Sequence, residues 1–326
     1  MKRVFSGIQP SGELHLGNYL GAVQNWVKLQ SQHDCLFCVV DLHAITQPYD
    51  SANLSSLTLD MAVSLYAAGL DPEKCIVFVQ AHVPEHNELN WLLTTVAPLG
   101  ELERQTQFKD KAQRQESVPA GLLMYPVLQA ADVLLYKASL VPVGEDQVQH
   151  LELMREIARR WNGRFGAGYF PEPQPLLTNT KRVLGLDGKA KMSKSLGNTI
   201  GIFESPEAIW EKLRPAATDP ARVTRKDPGT PEICNIFTLH HGFSPPDTVA
   251  EVAEKCRTAG WGCIDCKRKL ADNMIATLAP MRERAGALKR DPGGVMERLR
   301  AGAARARRLA QQTIAEVREK MGFLHG

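Results

Sequence analysis

Apolar and polar positions alternate along the chain in two distinct regimes. In the first 190 residues, short unbroken apolar runs alternate with longer stretches of helical period. Val4–Ile8, Cys35–Val40, Cys75–Val79 and Val141–Val143 read as buried strands. Between them, Gly17–Gln30 carries Leu20, Val23 and Val27 on one stripe, and Asn53–Ala68 carries Leu54, Leu57, Met61 and Leu65 at spacings of three and four. Gly69-Leu-Asp-Pro breaks that second helix. Ser117–Tyr136 and Glu145–Trp161 read as further helices. Strands separated by helices require crossovers, hence a parallel, doubly wound α/β sheet with ligands at the carboxyl ends of its strands.

From about Ile200 the strand signal fades. Ser205–Leu213, Pro245–Arg257, Ile264–Ala285, Val295–Arg308 and Gln311–Met321 read as helices punctuated by Pro and Gly. The expected division is a Rossmann-type domain over 1–190 and an all-helical domain over 191–326. There is no internal repeat.

Composition changes this picture little. Apolar content of 44% and charged content of 23% are ordinary for a globular protein. No apolar run reaches the ~18 residues of a membrane span, and the start of the chain lacks a signal-peptide core, so a cytoplasmic location is expected. Charge is more informative. The net charge is +3, yet Met281–Gly326 holds 11 basic and 5 acidic residues, leaving the body negative. A basic end on an acidic body points to a polyanion, or else to a solvated helix face.

Two segments carry candidate chemistry. Ser6-Gly-Ile-Gln-Pro-Ser-Gly-Glu-Leu-His-Leu-Gly-Asn joins the first strand to the first helix. Its glycines permit close backbone approach, and Gly17 and Asn18 sit where free N–H groups favour an anion. It is not a P-loop of the Gly-x-x-x-x-Gly-Lys type, and a structural Gly-rich turn is the alternative. Lys191-Met-Ser-Lys-Ser-Leu-Gly-Asn places two lysines and two serines on a loop after Gly185-Leu-Asp-Gly-Lys. Ammonium and hydroxyl groups suit the β- and γ-phosphates of ATP; an exposed basic loop is the alternative.

Together these segments resemble the two signatures of class I aminoacyl-tRNA synthetases. His15-Leu-Gly-Asn stands where that family has His-Ile-Gly-His, and Lys191–Ser195 matches Lys-Met-Ser-Lys-Ser throughout. Gly7-Ile-Gln-Pro-Ser-Gly, Val40-Asp-Leu-His-Ala-Ile-Thr, Gly121-Leu-Leu-Met-Tyr-Pro, Ala130-Ala-Asp-Val-Leu-Leu-Tyr and Val143-Gly-Glu-Asp-Gln resemble the bacterial and mitochondrial tryptophanyl branch. The resemblance runs from Arg3 to Phe323.

That resemblance implies a site. Asp132 would accept from the indole N–H, with Phe5, Val141 and Val143 as apolar walls and His43 near the ring. Tyr125 and Gln147 would meet the substrate ammonium group. Gln129 stands where many bacterial members carry Met. Gln9, Pro10 and Ser11 would hold ATP, with Gly17 and Asn18 at the helix terminus. Gly144, Glu145 and Asp146 would take the ribose and Val183 the adenine side. Lys191, Met192, Ser193, Lys194 and Ser195 would clamp pyrophosphate with Mg²⁺. Gln9, Asn18, Lys191, Lys194 and Ser195 are the implied catalytic set. Lys109 and Lys111 could add charge, or form a solvated basic loop. The implied reaction is ATP-dependent charging of tRNA(Trp) with L-tryptophan by a homodimer. Neither a membrane nor DNA is an expected partner. A catalytically altered RNA-binding paralogue and a nucleotidyltransferase on a small carboxylate are the competing readings. Intact signature residues count against the first, and the basic helical end against the second.

Cys35, Cys38 and Cys75 read as core thiols, with Cys35 and Cys38 on opposite faces of their strand. Cys234, Cys256, Cys263 and Cys266 form a C-x21-C-x6-C-x2-C pattern that suits a cubane iron–sulfur cluster or tetrahedral zinc. A subset of tryptophanyl enzymes carries a 4Fe–4S cluster on this pattern with a long gap one residue longer. His82 and His86 read as non-ligands because Pro84 interrupts them, and His240-His241 as a helix-surface pair. Arg298, Arg300, Arg305, Arg307 and Arg308 are the candidate phosphate contacts.

Overall fold

The computed structural model describes residues 1–112, 117–144, 147–177, 183–193 and 196–324. Five parallel strands form one sheet in the order β3-β2-β1-β4-β5: β1 (Arg3–Ile8), β2 (Asp34–Val39), β3 (Ile76–Val79), β4 (Leu140–Val143) and β5 (Gln174–Leu177). Because β1 pairs with β2 on one side and β4 on the other, the strand order reverses there. A crevice opens at the carboxyl ends of β1 and β4, which is where such sheets bind ligands. The first four strands match the apolar runs. β5 was not expected from its short Gln-Pro-Leu-Leu sequence; proline is tolerated because this strand lies at the sheet edge.

Both faces of the sheet are covered, which explains the unbroken apolar runs. Val4, Cys35, Phe37, Val39 and Val77 belong to one core, and Phe5, Leu36, Cys38, Ile76 and Phe78 to the other. Cys35 and Cys38 thus face opposite ways, as the strand period requires. Trp26 stacks on Phe37 in the first core, with ring centroids 4.7 Å apart, a pairing worth about 0.5–1.5 kcal/mol beyond its buried area.

The helices of the α/β part are α1 (Leu16–Asn18), α2 (Gln24–Leu29), α3 (Asp41–Ala44), α4 (Leu54–Ala68), α5 (Glu85–Thr94), α6 (Leu99–Glu103), α7 (Thr106–Ala112), α8 (Ala120–Leu134) and α9 (Val148–Phe165). A π-helical stretch, Tyr19–Val23, joins α1 to α2. Gly69 ends α4 in the left-handed conformation, φ 117°, which only glycine adopts cheaply.

The later helices are α10 (Pro206–Leu213), α11 (Asn235–Phe243), α12 (Pro246–Arg257), α13 (Cys263–Arg290) and α14 (Pro292–Lys320). Ser205 caps α10, accepting from the Ala208 amide at 3.2 Å. Where two terminal helices were expected, α14 is one, because Leu309-Ala310 between them favours helix. Ile209, Leu213, Leu239, Leu270 and Met274 share a core with Val4, Met61 and Leu65. The helical region therefore packs directly on the sheet domain. Among the described residues no helix is long and apolar enough to cross a membrane.

Helix α14 returns across β3, with Gly302 so close to the Val77 carbonyl that a methyl group there would overlap it. Several of its basic residues are engaged within the chain. Arg305 donates to the Pro72 carbonyl at 2.7 Å, and Arg307 pairs with Glu85 at 2.9 Å. These contacts also tie the helix to the sheet domain, with Arg305 partly buried. Arg298, Arg300, Arg307 and Arg308 are exposed on the same helix.

Candidate active site

A cavity of about 290 Å³ lies at the carboxyl ends of β1 and β4. All eight residues expected around the amino acid line it: Phe5, His43, Tyr125, Gln129, Asp132, Val141, Val143 and Gln147. Gln9, from the nucleotide set, reaches its rim. Strand β1 supplies Phe5, β4 supplies Val141 and Val143, α3 supplies His43, and α8 presents Tyr125, Gln129 and Asp132 on one face. Their spacing of three and four along α8 is what brings the last three together.

Asp132 is 2% exposed. Its Oδ1 accepts from Gln80 Nε2 at 2.6 Å and pairs with His86 Nδ1 at 2.7 Å, while Oδ2 pairs with His43 Nε2 at 2.8 Å. His86 Nε2 continues the network to the Tyr136 hydroxyl at 2.8 Å. Burial pushes the Asp132 pKa up, but the His43 and His86 contacts outweigh it and hold the carboxyl below its ordinary range. A carboxylate has about four acceptor positions. Two on Oδ1 and one on Oδ2 are taken, which leaves Oδ2 room for one more donor. Sequence reasoning missed Gln80 and His86. His86 had been weighed only as a metal ligand; its role is to fix a carboxylate.

Tyr125 donates through its hydroxyl to Gln107 Oε1 at 3.1 Å, and the same oxygen lies 3.1 Å from His150 Nε2. His150 is tied in turn to Gln105 at 2.9 Å. Burial pushes the Tyr125 pKa up to about 12, so the phenol stays protonated at neutral pH. Gln107 and His150 also line the cavity without having been anticipated.

The nucleotide signatures meet nearby. Gly12 turns the first segment with φ 81°, and the Ser11 amide donates to the Gln9 carbonyl at 2.9 Å. Pro10 is buried. His15 caps the first helix, accepting at Nδ1 from the Asn18 amide at 3.3 Å. The Leu16 amide donates to Ile200 and the Ile202 amide to Leu14, so the segment after the lysine loop is zipped onto the first signature. Gly17 allows this approach: a Cβ there would lie 3.2 Å from the Met192 Cβ. The Asn18 Oδ1 is buried with no protein partner among the described residues.

Val183–Met192 forms a hairpin, with Leu184 bridged to Lys191 and the Gly185 amide donating to Ala190 at 2.8 Å. Val183 and Met192 are buried and Lys191 is exposed. The Ser193 amide donates to Asn198 Oδ1 at 2.8 Å. Gly144 directly follows β4, and its carbonyl accepts from the Gln147 amide at 3.0 Å. Glu145, Asp146, Lys194 and Ser195 lie outside the described residues, as does the Lys111 side chain. Lys109 is exposed on α7.

Cys234, Cys256, Cys263 and Cys266 line one small, mainly apolar pocket beside Arg222 and Trp261. Burial first, then its three fellow thiols, push the Cys266 pKa up to about 12. Among the described residues no three His, Cys, Asp or Glu side chains are set close enough to ligate a metal. The residue types suit a thiolate-bound centre, but the thiols as they stand in the shared pocket are not set at ligating distance. The expectation of a surface His240 is corrected: it is buried, bonds Ser244 Oγ at 2.7 Å and lies 3.5 Å from Cys266 Sγ. Burial lowers its pKa to about 4, so it is neutral. The apolar helix face on which it falls was the available signal.

Residues 1–279 match the model of the tRNA synthetases class I (W and Y). The chain belongs to the class I tryptophanyl-tRNA synthetases. It is 56% identical to the tryptophan–tRNA ligase of Deinococcus radiodurans, over 99% of each chain. It is 43% identical to the corresponding ligase of Thermotoga maritima, again over 99% of each. The crystal structure of tryptophanyl-tRNA synthetase from Campylobacter jejuni with ADP and tryptophan superposes with a TM-score of 0.87 at 36% identity, covering 98% of this chain and all of that one. In the synthetase described above, the two signatures are therefore joined by geometry as well as by motif.

Proposed function

We propose that this synthetase activates L-tryptophan with ATP and transfers it to tRNA(Trp), and that the cavity around Asp132 selects the amino acid. The carrying observation is the one acceptor position left on a buried, ionised carboxylate. An indole N–H can fill it. Phenylalanine would leave it empty, and an unmet buried polar group costs about 1–3 kcal/mol or more. Phe5, Val141 and Val143 supply apolar walls for the ring. Tyr125 and Gln147, with Gln129 beside them, face the end suited to the ammonium group.

In the first step the tryptophan carboxylate attacks the α-phosphorus of ATP, and pyrophosphate leaves with the β- and γ-phosphates. In the second, the terminal ribose hydroxyl of tRNA attacks the mixed anhydride and AMP leaves. No protein nucleophile is required, so catalysis is positioning and charge stabilisation. Gln9, Pro10 and Ser11 border the adenosine. Gly17 and Asn18 bring the helix terminus, with its backbone N–H groups, to the phosphates. Gly144, Glu145 and Asp146 take the ribose, and Val183 the adenine side. Lys191, Ser193, Lys194 and Ser195 clamp the leaving pyrophosphate, with Met192 seating the loop. Mg²⁺ accompanying ATP would neutralise phosphate charge.

Cys234, Cys256, Cys263 and Cys266 would hold a 4Fe–4S cluster, or alternatively Zn²⁺. Such a centre would brace the helical region that meets tRNA, with Arg300 and Arg308 available for its phosphates. Like other members of the family, the enzyme would work as a homodimer. A translation enzyme of this kind works in the cytoplasm.

The test is tryptophan-dependent charging of tRNA(Trp), with pyrophosphate exchange run on tryptophan and tyrosine and a metal assay on the same preparation. Tryptophan should be preferred by a large factor. Better exchange with tyrosine would sink the assignment, and stoichiometric zinc in colourless protein would replace the cluster.

A further inference from the structure

The hairpin that carries Lys191 is held from the helical region by two buried polar side chains. Asn235, 7% exposed, donates its Nδ2 to the Gly185 carbonyl at 2.9 Å and lies 3.3 Å from the Leu184 carbonyl. On the other side, the Ala217 amide donates to the Leu186 carbonyl at 2.8 Å. That segment is itself fixed by Lys267, 5% exposed, whose Nζ donates to the Arg214 carbonyl at 2.8 Å and the Ala216 carbonyl at 2.6 Å. Neither residue lies at the reacting atoms. Each directly follows a pocket cysteine, Cys234 for Asn235 and Cys266 for Lys267.

Asn235 is the first residue of α11, directly after its N-cap Cys234, and could have turned its side chain to solvent or to its own helix. Here it reaches another segment instead. Lysines on flexible stems are not preorganised by themselves. Their value to a developing charge depends on a frame that needs no rearrangement during the reaction. We infer that Asn235 and Lys267 are positioning residues for the ATP step, setting the lysine hairpin against the Gln9–Asn18 turn. Their places in the chain tie that setting to the cysteine pocket. The inference rests on the reading of Lys191–Ser195 as the phosphate clamp.

Four full-length variants test it. Asn235→Asp keeps the shape but replaces the donor with an acceptor facing two carbonyls. Lys267→Met keeps the length without a donor. Lys191→Ala probes the clamp itself. Pyrophosphate exchange gives kcat and KM for ATP, equilibrium titration gives the tryptophan Kd, and hydrogen exchange follows the Gly185 amide. Both positioning variants should lose about tenfold or more in kcat/KM for ATP. Their tryptophan Kd should stay within about twofold, and the Gly185 amide should exchange faster. Asn235→Gln, which retains the donor, should recover part of the loss. If Asn235→Asp does not fold, Lys267→Met carries the test. Normal ATP kinetics in both, or equal losses toward ATP and tryptophan, overturn the inference. A slow Lys191→Ala beside two normal positioning variants overturns it alone. A normal Lys191→Ala removes the clamp reading and this inference with it.

Discussion

The Asp132 cavity and the lysine hairpin are both polar, and they are built in opposite ways. Asp132 is buried and its carboxylate is fixed by Gln80, His86 and His43 before any ligand arrives. Lys191 is exposed, and what is fixed is the backbone beneath it. The contrast suits the two tasks proposed for them. Rejecting a wrong amino acid needs a desolvated group with one remaining position, because only there does a missing hydrogen bond cost several kcal/mol. Stabilising charge on a departing phosphate needs cations that can arrive and leave, carried on a frame that is already in place.

The largest expected effect breaks the first half of that contrast. Asp132→Ala removes the acceptor and leaves three donors unmet in a buried network, at about 1–3 kcal/mol each. Expected is a fall of about 1,000-fold or more in kcat/KM for tryptophan together with a lower melting temperature. Steady-state exchange and thermal melts on the same protein read both. A variant that keeps wild-type selectivity for tryptophan over phenylalanine would show that the carboxylate does not choose the substrate.

A smaller effect tests the second half. Lys194→Ala should lower the rate of adenylate formation by about 100-fold, the scale of one preorganised donor to a transition state. The tryptophan Kd and the melting temperature should barely move, since the change is expected to act only on the phosphate step. Pre-steady-state mixing gives the rate; a rate equal to wild type would detach the lysine loop from the chemistry.

This difference also explains what the sequence could and could not reveal. The strands were legible because a sheet covered on both faces needs unbroken apolar runs, and the signature residues because their types and order are chemically restrictive. Asp132 stood out as a carboxylate in an apolar helix. Gln80, His86 and Gln107 did not, because they lie on other elements and only the folded sheet brings them to the cavity. β5 was missed because a short Pro-containing edge strand lacks the pattern of a central one. The contacts of Arg305 and Arg307 within the chain were not legible, because a basic helix looks the same whether its partners are phosphates or the chain's own carbonyl and carboxylate groups. His240 looked exposed beside His241, but the helical period places them on different faces.

The smallest expected effect is an absence of change, and it tests how completely Asp132 is fixed. Burial alone would raise its pKa and favour the neutral acid. His43 from α3 and His86 from α5 outweigh that, and the folded carboxyl lies below its ordinary value of about 3.9. Cys38 from β2 and the Tyr136 hydroxyl also face it; both have pKa values pushed well up, so they stay uncharged. A carboxyl whose folded pKa is depressed contributes stability that is complete above its unfolded value. That contribution is lost only as pH falls through the lower folded one. Between pH 7.5 and 5.5, both values are left well below. The tryptophan Kd should therefore change by less than about twofold across that range in fluorescence or calorimetric titrations. A tenfold weakening toward pH 5.5 would mean that the bonded Asp132–His43–His86 network changes protonation there. The acceptor that distinguishes the cavity from the lysine loop would then be conditional rather than built in.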